Sequence, residues 1–575
     1  MIPTLLRCLP LALTTLLLVA CATTDRPSWT HGGMVSAANP YAARAAADVL
    51  ERGGSAVDAA IAAHAVLGLV EPQSSGIGGG AFLLYFERAT GRTTAYDGRE
   101  TAPAGARPDM FLADGEPLGF LEAWQSGLAV GTPGTIALYE LIHARHGRLS
   151  LADDLAPAIT LAREGFEVSP RLAGMLAQLR GPSRLDDNPA TRDYFYPGGE
   201  PLAAGSIRDN PDYARTLSRV AAEGSTAFYQ GELAAEITAA ARAEPHPGTL
   251  DTADLAAYRV AVREPVCAAT GAETICTMPP PSSGLTQLMI LSLYDALAAA
   301  APEATAVDGV NLAAFVDAQR LAYADRDHYV ADADVVSVPA ADLIDPAYLA
   351  ARASGRVPPD ATAQPGDPGD VLRGEPMLER WGRDGTDEIG GTTHLSVVDR
   401  DGNAVSMTAT VEAPFGSSRW AGGFLLNNQM TDFSRTPTLG GRPVANRVEP
   451  GKRPRSSMSP VIVFDTAGEL KLVAGSPGGN SIIAYVAKVL VGVLRGGQGV
   501  QAAVDAPNII ARGRAVRVET GVPGGQARAD ELSALGYPVE AREGENSGLH
   551  VILVTPDGLE GAADPRREGR VIAVH

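Results

Sequence analysis

Thr392, preceded by Gly390 and Gly391 and followed by Thr393, offers the most specific chemistry in this sequence. Cleavage of the chain before Thr392 would leave a free α-amine beside the hydroxyl of the same residue. An α-amine has a pKa of about 8 and can serve as general base for that hydroxyl. The pattern is typical of a hydrolase whose nucleophile is its own N-terminal residue. Because β-branched residues also begin many strands, the spacing alone leaves open a purely structural role.

A hairpin is predicted to position this threonine. Residues 392–398 alternate as a strand, Asp401-Gly402-Asn403 supplies a turn, and residues 404–410 continue as a second strand. The preceding stretch, 353–391, is rich in Pro, Gly and Asp in its first half and largely polar afterwards. We therefore predict an exposed or mobile linker over 353–391, which would present the bond before Thr392 for cleavage.

The rest of the chain alternates helices with buried strands. Asn39-Pro40 predicts the start of one helix and Ser55 the start of a second that runs towards Val70. The glycine-rich stretch 76–80 precedes an apolar strand but no helix with Lys-Ser or Lys-Thr, which favours a tight turn over a phosphate site. Apolar residues repeat with helical periodicity in four further segments, which predicts helices near 135–146, 151–164, 285–300 and 309–328.

Composition narrows the class of protein. The chain has 575 residues, of which 45% are hydrophobic and 20% charged, and a formal net charge of −20. Such a chain can bury a core, so extended disorder is excluded. The negative charge disfavours nucleic acid as a partner. At about 150 residues per domain, length alone suggests three or four domains.

The N-terminus is predicted to direct export. Residues 1–20 have Arg7 followed by an apolar stretch, as in a signal peptide. Leu18-Val19-Ala20-Cys21 resembles a bacterial lipobox, so Cys21 would be acylated and residues 21–30 would form a tether. A plain secretory signal is the alternative. We expect a lipid-anchored protein of the cell envelope, in the outer membrane or periplasm.

Two cysteines remain after export. Cys267 and Cys276 flank a predicted turn at Gly271-Ala272, which would place them opposite each other in a hairpin. A disulfide and two free thiols both stay open at this point. No metal site is predicted, because two cysteines are too few and the segment 143–146, with histidines at both ends, offers no third ligand.

A set of motifs links the two halves of the chain. In this order and over this length, from about Gly32 to the C-terminus, the motifs resemble those of the gamma-glutamyltransferase (gamma-glutamyltranspeptidase) family. They are Gly53-Gly54-Ser55-Ala56-Val57-Asp58-Ala59-Ala60, Asp97-Gly98-Arg99-Glu100-Thr101-Ala102-Pro103, Gly131-Thr132-Pro133-Gly134-Thr135, Ala162-Arg163-Glu164-Gly165-Phe166, Met278-Pro279-Pro280-Pro281-Ser282-Ser283-Gly284, Ala322-Tyr323-Ala324-Asp325-Arg326, Gly391-Thr392-Thr393-His394, Asn427-Asn428-Gln429-Met430-Thr431-Asp432-Phe433, Arg453-Pro454-Arg455-Ser456-Ser457-Met458-Ser459-Pro460 and Gly475-Ser476-Pro477-Gly478-Gly479.

The resemblance implies a fold and a maturation step. The fold is α/β (α+β), a four-layer αββα sandwich of the N-terminal-nucleophile hydrolase type. The precursor would cut itself between Gly391 and Thr392, and the two fragments would stay together as a heterodimer. The large subunit would span 31–391 and the small subunit 392–575, both within one shared domain. No cofactor is expected.

The resemblance also assigns site residues. Thr392 would be the nucleophile, Thr410 its hydrogen-bonding partner, and Gly478 and Gly479 the oxyanion hole. The residues expected to bind the donor's amino-acid end are Arg99, Ser456 and Ser457 for its carboxylate, and Asp432 and Gln429 for its ammonium. Taken alone, Arg99 beside two acidic residues reads as a surface ion pair, and the serines read as a turn.

The expected activity is cleavage of γ-glutamyl amides such as glutathione through an ester on Thr392. The acyl group would pass to water, amino acids or peptides. Two departures bear on the substrate: Glu412 stands where the family often has Asn, and the segments 415–426 and 435–451 look shortened. A related acylase acting on a non-glutamyl amide such as a glutaryl amide is one alternative, and a catalytically silent envelope binding lipoprotein is another.

Overall fold

The computed structural model describes residues 29–301, 306–355 and 357–575. The predicted signal, the proposed acylation site Cys21 and all but the last residues of the tether lie outside the described residues. Within the described ranges, no helix combines the length and the apolar character needed to cross a membrane.

Two antiparallel sheets form the centre of the molecule. The first sheet has seven strands in the spatial order Arg570–Val574, Gly33–Ala37, Gly391–Val398, Ala404–Glu412, Gly80–Glu87, Arg92–Gly98 and Ala261–Arg263. The second sheet has six strands in the order Gly558–Ala563, His550–Thr555, Leu470–Gly475, Val461–Phe464, Glu273–Thr277 and Val266–Thr270. Each sheet takes strands from both sides of Gly391, so neither side of that bond holds a complete sheet.

Helices cover the outer face of each sheet. Ala56–Val70 is buried along its whole length and packs on the first sheet, while Gly284–Ala300 and Ile482–Leu494 pack on the second. The layers are therefore helix, sheet, sheet, helix, and the predicted αββα arrangement is confirmed. The α-helices are Pro40–Glu51, Ala56–Val70, Phe120–Trp124, Thr135–His146, Leu151–Glu164, Pro170–Gln178, Arg180–Ser183, Pro189–Phe195, Pro211–Glu223, Thr226–Tyr229, Gly231–Ala241, Thr252–Ala257, Gly284–Ala300, Leu312–Tyr329, Ala340–Leu343, Pro346–Ser354, Pro368–Arg373, Ile482–Leu494, Val500–Asp505 and Gly525–Ala534.

Short elements complete the fold. The 3₁₀ turns are Gly127–Ala129, Pro197–Gly199, Leu378–Arg380, Gln429–Asp432 and Gly479–Ser481. The small strand pairs are Leu112–Ala113 with Glu116–Pro117, Phe166–Glu167 with Ile207–Arg208, Ala306–Val307 with Val310–Asn311, Trp420–Ala421 with Phe424–Leu425 and Thr438–Leu439 with Arg442–Pro443. A separate small sheet joins Ile509–Ile510, Val516–Glu519 and Val539–Arg542.

Local sequence signals explain where the first two helices begin. The Asn39 side chain accepts from the backbone N–H of Tyr41, and Pro40 occupies the first helical position. Ser55 and Asp58 form a capping box at the start of the second helix, each side chain accepting from the other's backbone N–H. Both predicted starts are confirmed.

The glycine-rich stretch 76–80 brings two backbones together. A Cβ on Gly79 would overlap the carbonyl oxygen of Thr410, and one on Gly78 would overlap that of Leu425. The glycines thus let this turn pass directly against the end of the strand Ala404–Glu412, as the sequence predicted. The turn supports the strand that faces Thr392.

Cys267 and Cys276 form a disulfide. They lie opposite each other on the paired strands Val266–Thr270 and Glu273–Thr277, with Cα atoms 4.1 Å apart. The bridge closes the hairpin at the edge of the second sheet.

Parts of the stretch 353–391 form a short helix or are buried, unlike an exposed linker. Asp367 caps the helix Pro368–Arg373, which ends at Gly374 in the left-handed conformation. Asp384 and Glu388 are buried. The exposed-linker prediction is wrong for these parts, because Asp, Pro and Gly also form the start and end of short helices.

Candidate active site

Thr392 and Thr410 face each other across neighbouring strands. Their Oγ1 atoms are 3.2 Å apart, and the Thr410 hydroxyl donates to the carbonyl oxygen of Gly391 at 2.7 Å. Since the single Thr410 proton points to that carbonyl, the Thr392 hydroxyl is the donor between the two threonines. The backbone N–H of Glu412 also donates to Thr410 Oγ1, at 2.8 Å. A register shift falls between Gly391 and Thr392, at the bond predicted to break.

Two residues without a sequence signal hold this bond in place. Arg567 is buried and donates from Nη1 to the Thr392 carbonyl oxygen at 2.7 Å. The Asn546 side chain donates to the Gly390 carbonyl oxygen at 3.1 Å. Both contacts cross more than 150 residues of chain, and neither residue lies in a motif that the sequence analysis singled out.

Histidine does not activate Thr392. In the described part of the chain, no histidine hydrogen-bonds to Thr392 Oγ1. His394 instead contacts Thr408 Oγ1 at 2.9 Å and Ser396 Oγ at 3.1 Å, between the two sheets. Burial lowers the pKa of His394 well below its ordinary value, so the ring is neutral near pH 7. The described residues therefore offer the predicted nucleophile Thr392 no histidine base, whereas its own α-amine would become available on the predicted cleavage.

Gly478 and Gly479 lie against the segment that precedes the bond. Both have positive φ, at 135° and 56°. A Cβ on Gly479 would overlap the Glu388 carbonyl oxygen, and one on Gly390 would come within 3.0 Å of Gly478. The two glycines therefore border the segment before the predicted cleavage bond, where the resemblance places the oxyanion hole.

Arg99, Asp432 and Gln429 form one buried cluster. Arg99 Nη2 lies 2.5 Å from Asp432 Oδ2, and Gln429 Nε2 donates to the same oxygen at 2.6 Å. Within the residues that the structure describes, Arg99 Nη1, Asp432 Oδ1 and Gln429 Oε1 have no hydrogen-bond partner. The carboxylate nearest to Arg99 Nη1, Glu100, is 3.9 Å away. The cluster thus leaves one cationic donor and two acceptors unused, and Arg99 is not a surface ion pair.

Glu412 adds a second buried carboxyl to this cluster. It has φ of 80° and accepts from the Asn428 side chain and from Thr431 Oγ1. Burial, together with the neighbouring Asp432, raises the pKa of Glu412 well above its ordinary value. Burial also raises the pKa of Asp432 to about 6, although Arg99 opposes that shift. A positive charge between the two would stabilise both ionised forms.

The two predicted serines have different environments. Ser456 Oγ accepts from the Met458 backbone at 3.1 Å, which is a turn contact. Ser457 donates its backbone N–H to Glu388 Oε2 at 2.9 Å, and its hydroxyl accepts from Arg326 at 2.6 Å. Ser457 therefore already binds a carboxylate in the uncut chain, that of Glu388.

Two arginines that the sequence analysis gave no role surround Glu388. Arg326 donates from Nη2 to Glu388 Oε1, and Arg455 Nε lies 3.7 Å from the same oxygen. The two arginines lower the pKa of Glu388 to about 2 despite its burial. Both arginines stand in motifs quoted for the family resemblance, so that signal was available. Their charges hold the segment just before the bond that is predicted to be cut.

His143 has neighbours outside the segment 143–146 that could share a metal ion with it. The structure brings Asp58 and Asp154 to His143 from two other helices, whereas His146 turns away and contacts the Tyr96 hydroxyl at 2.6 Å. No local pattern predicts this grouping, because residue 58 lies more than 80 residues from residue 143.

The two sheets between helical layers, with Thr392 near the start of a central strand, define a fold of the N-terminal-nucleophile hydrolase type. A model of the gamma-glutamyltranspeptidase family matches residues 42–574, and the chain belongs to this family.

Relatives and solved structures agree with this assignment. A glutathione hydrolase proenzyme of Escherichia coli is 37% identical over 93% of this chain and 90% of its own. An acylase ACY 1 proenzyme of a Pseudomonas species is 33% identical over 96% of this chain and 95% of its own. The crystal structure of cephalosporin acylase from Bacillus halodurans superposes with a TM-score of 0.81 and 27% identity, covering 96% of this chain and 98% of that one. The chain is thus similar to both glutathione hydrolases and acylases.

Proposed function

We propose that this protein is a self-processing gamma-glutamyltransferase and glutathione hydrolase with Thr392 as its nucleophile. The observation that carries the proposal is the hydrogen-bonded path from the Thr392 hydroxyl through Thr410 to the Gly391 carbonyl. That path links the attacking oxygen to the bond that must break. The names of the proenzyme relatives support a chain that is cut during maturation.

Processing begins when Thr392 Oγ1 attacks the Gly391 carbonyl carbon. The Thr392 proton passes towards Thr410, and the Thr410 proton stabilises the developing negative charge on the Gly391 oxygen. The Gly391–Thr392 C–N bond then breaks, the nitrogen takes a proton, and an ester on Thr392 remains. C–N cleavage has already freed the Thr392 α-amine, and water then hydrolyses the ester, which frees the Gly391 carboxylate and the Thr392 hydroxyl. The two fragments form a heterodimer because they share both sheets.

Turnover repeats the same chemistry on a γ-glutamyl amide. The α-amine of Thr392 takes the hydroxyl proton as Oγ1 attacks the γ-carbonyl carbon, and the backbone N–H groups of Gly478 and Gly479 stabilise the oxyanion. The leaving amine takes the proton, and water or an acceptor amine then releases the γ-glutamyl ester. No cofactor takes part in this proposal.

The cluster around Arg99 supports an α-amino acid as the donor's recognised end. Arg99 Nη1 would bind the α-carboxylate, and the free oxygens of Asp432 and Gln429 would bind the α-ammonium. An α-amino acid carries a carboxylate, which a cationic donor binds, and an ammonium, which acceptors bind. The unused atoms of the cluster match both groups. Glu412 would add a second carboxylate near the ammonium.

A related acylase is the second candidate. Glu412 and the similarity to a cephalosporin acylase favour it, because an extra carboxyl reshapes the cluster that would bind the glutamyl end. A γ-glutamyl anilide and the matching glutaryl anilide, which lacks only the ammonium, separate the two. The proposal predicts turnover of the γ-glutamyl anilide, with release accelerated by a dipeptide acceptor if transfer occurs. Cleavage of the glutaryl anilide alone would establish the acylase instead.

We further propose that the protein is exported and anchored to the envelope by acylation of Cys21. The lipobox-like residues 18–21 support this, and the Cys267–Cys276 disulfide suits an oxidising compartment. Metabolic labelling with a radioactive fatty acid tests the anchor. Label in the wild type but not in Cys21→Ser is expected, whereas equal labelling would contradict it.

A further inference from the structure

A cluster of two aspartates and a histidine lies where three helices meet, and the proposed catalytic steps do not use it. Asp58 is in the first turn of Ala56–Val70, His143 in the last turn of Thr135–His146, and Asp154 in the first turn of Leu151–Glu164. One ligand atom from each lies within 4.8 Å of the other two. We propose that this cluster binds one divalent transition-metal ion of the Zn²⁺ kind.

The carboxyl groups are buried without the partners that burial requires. Asp154 is fully buried, and neither of its oxygens has a hydrogen-bond partner among the described residues. Asp58 Oδ1, which belongs to the same cluster, is also buried and without a partner in that part of the chain. A buried carboxylate is costly unless it is paired, protonated or bound to a metal. These oxygens therefore point to a missing cation or a missing proton.

The nearby arginine is paired with another carboxylate and only partly compensates the charge of Asp154. Arg52 lies 2.5 Å from Asp153 Oδ1, the exposed carboxylate next to Asp154. His143 Nε2 is 3.8 Å from Asp154 Oδ2, which is too long for a hydrogen bond. The three side chains thus bring carboxylate and imidazole atoms, which are possible metal ligands, close to one another.

Asp58 is oriented by its surroundings. Its Oδ2 accepts three backbone N–H groups, from Ser55 at 2.8 Å, Arg148 at 2.8 Å and Leu149 at 3.2 Å. Those bonds fix the carboxylate and leave Oδ1 for the cluster, as outer partners of metal ligands commonly do. His143 Nε2 donates to the Leu149 carbonyl oxygen at 2.9 Å in the metal-free protein. Metal binding would replace this hydrogen bond, with the ring proton on Nδ1, and would leave Nε2 and the Leu149 oxygen as neutral ligand atoms.

Charge and ligand type favour a transition-metal ion. Two ionised carboxylates, a neutral imidazole and a dication sum to zero charge, which suits a buried site. Mixed nitrogen and oxygen ligands suit Zn²⁺ and its first-row neighbours better than Mg²⁺ or Ca²⁺, which prefer oxygen alone. Burial and the adjacent Asp58 raise the pKa of Asp154 to about 8, so an unmetallated pair would hold a proton instead.

The site would join the ends of three helices. Ala56–Val70 packs against the first sheet, including the strand that carries Thr392. A metal that links its start to the two neighbouring helices would stabilise the layer behind the active site. The role is structural, because the proposed catalytic steps do not involve these residues.

Metal content and thermal stability test the proposal. Tag-free full-length protein is stripped with a chelator, incubated with ZnCl₂ and dialysed against metal-free buffer. We expect about one zinc per chain by inductively coupled plasma mass spectrometry. The loaded protein should also have a higher Tm than the stripped protein. His143→Ala, at a partly exposed position, and Asp154→Asn should each lose both effects. Asp153→Asn is the matched control, an exposed carboxylate on the same helical turn, and should keep both.

Three results would overturn the inference. They are zinc well below one per chain in the wild type, no change in Tm on loading, or full zinc content in His143→Ala. A higher Tm for Asp154→Asn with no effect of zinc on the wild type would instead assign a shared proton to the two carboxyls. If Asp154→Asn does not fold, His143→Ala decides alone.

Discussion

Thr410 Oγ1 lies 3.2 Å from Thr392 Oγ1 and donates to the Gly391 carbonyl oxygen at 2.7 Å. One hydroxyl thus contacts both the proposed attacking atom and the oxygen that would become negatively charged in the proposed cleavage. The strands Gly391–Val398 and Ala404–Glu412 create this contact, because their register places Thr392 opposite Thr410. The relationship makes Thr410 the residue on which processing should depend most directly after Thr392 itself.

Thr410→Ala is expected to slow self-cleavage by about 100-fold or more, as removal of one oxyanion donor does in other acyl-transfer sites. Thr410→Ser keeps the hydroxyl and should be cut nearly as fast as the wild type. Denaturing electrophoresis of freshly expressed protein over time measures both. Equal rates for the alanine and serine variants would remove Thr410 from the mechanism.

Arg99→Lys should raise KM for a γ-glutamyl donor by about 10- to 100-fold, with a smaller change in kcat. Lysine keeps the charge near Asp432 but cannot present a second planar N–H to the carboxylate, and such charged hydrogen bonds contribute about 1.5–3 kcal/mol. Steady-state kinetics with a γ-glutamyl anilide test this. Arg107→Lys, at an exposed arginine, is the control. An unchanged KM for Arg99→Lys would refute the assigned role.

Glu412→Gln should stabilise the ligand-free protein at pH 7.5 but not at pH 4. Burial raises the pKa of this carboxyl well above its ordinary value, so the folded state binds its proton more tightly than the unfolded state. At pH 4 the folded protein holds the carboxyl neutral, and the substitution changes little. As pH rises above the unfolded pKa of about 4.3, the wild type loses stability that the Gln variant keeps.

Thermal denaturation at the two pH values measures this difference. Glu375→Gln, at an exposed position, should behave like the wild type at both. The Tm of Glu412→Gln is compared with that of the wild type at each pH. If the variant fell further below the wild type at pH 7.5 than at pH 4, Glu412 would be ionised in the folded protein without an energetic penalty.

Gly479→Ala should block processing. Its Cβ would overlap the carbonyl oxygen of Glu388, in the segment just before the proposed cleavage bond, and its φ of 56° is unfavourable for alanine. Gly497→Ala is the matched control, because Gly497 has a similar φ of 65° but nothing within 4 Å of an added Cβ. Electrophoresis should show an intact chain for Gly479→Ala and a cut chain for Gly497→Ala. Normal cutting of both would show that this contact is dispensable.

The sequence predicted local features well. Asn39, Ser55 and the turn at 401–403 act through residues within four positions, so the helix starts and the hairpin around Thr392 could be read directly. The cluster of Arg99 with Asp432 joins residues far apart in the chain. Only the family resemblance, and no spacing, pointed to that cluster.

Contacts between residues far apart in the chain could not be predicted from the sequence. Arg567 reaches the Thr392 carbonyl from 175 residues away, and no local pattern marks it. The polar neighbours of Glu388 predict an exposed segment. Its burial depends on Arg326 and Arg455, whose charges compensate the carboxylate only once the fold brings the three together.

The central claim is that Thr392 becomes the N-terminal nucleophile, and the mass of the smaller fragment tests it most directly. Intact-mass spectrometry of the purified wild type should show a fragment that begins at Thr392 and ends at His575. Brief incubation with a γ-glutamyl donor, followed by acid quenching, should add one γ-glutamyl group to Thr392. An uncut wild-type chain that still turns over the donor, or an acyl group on another residue, would contradict the account.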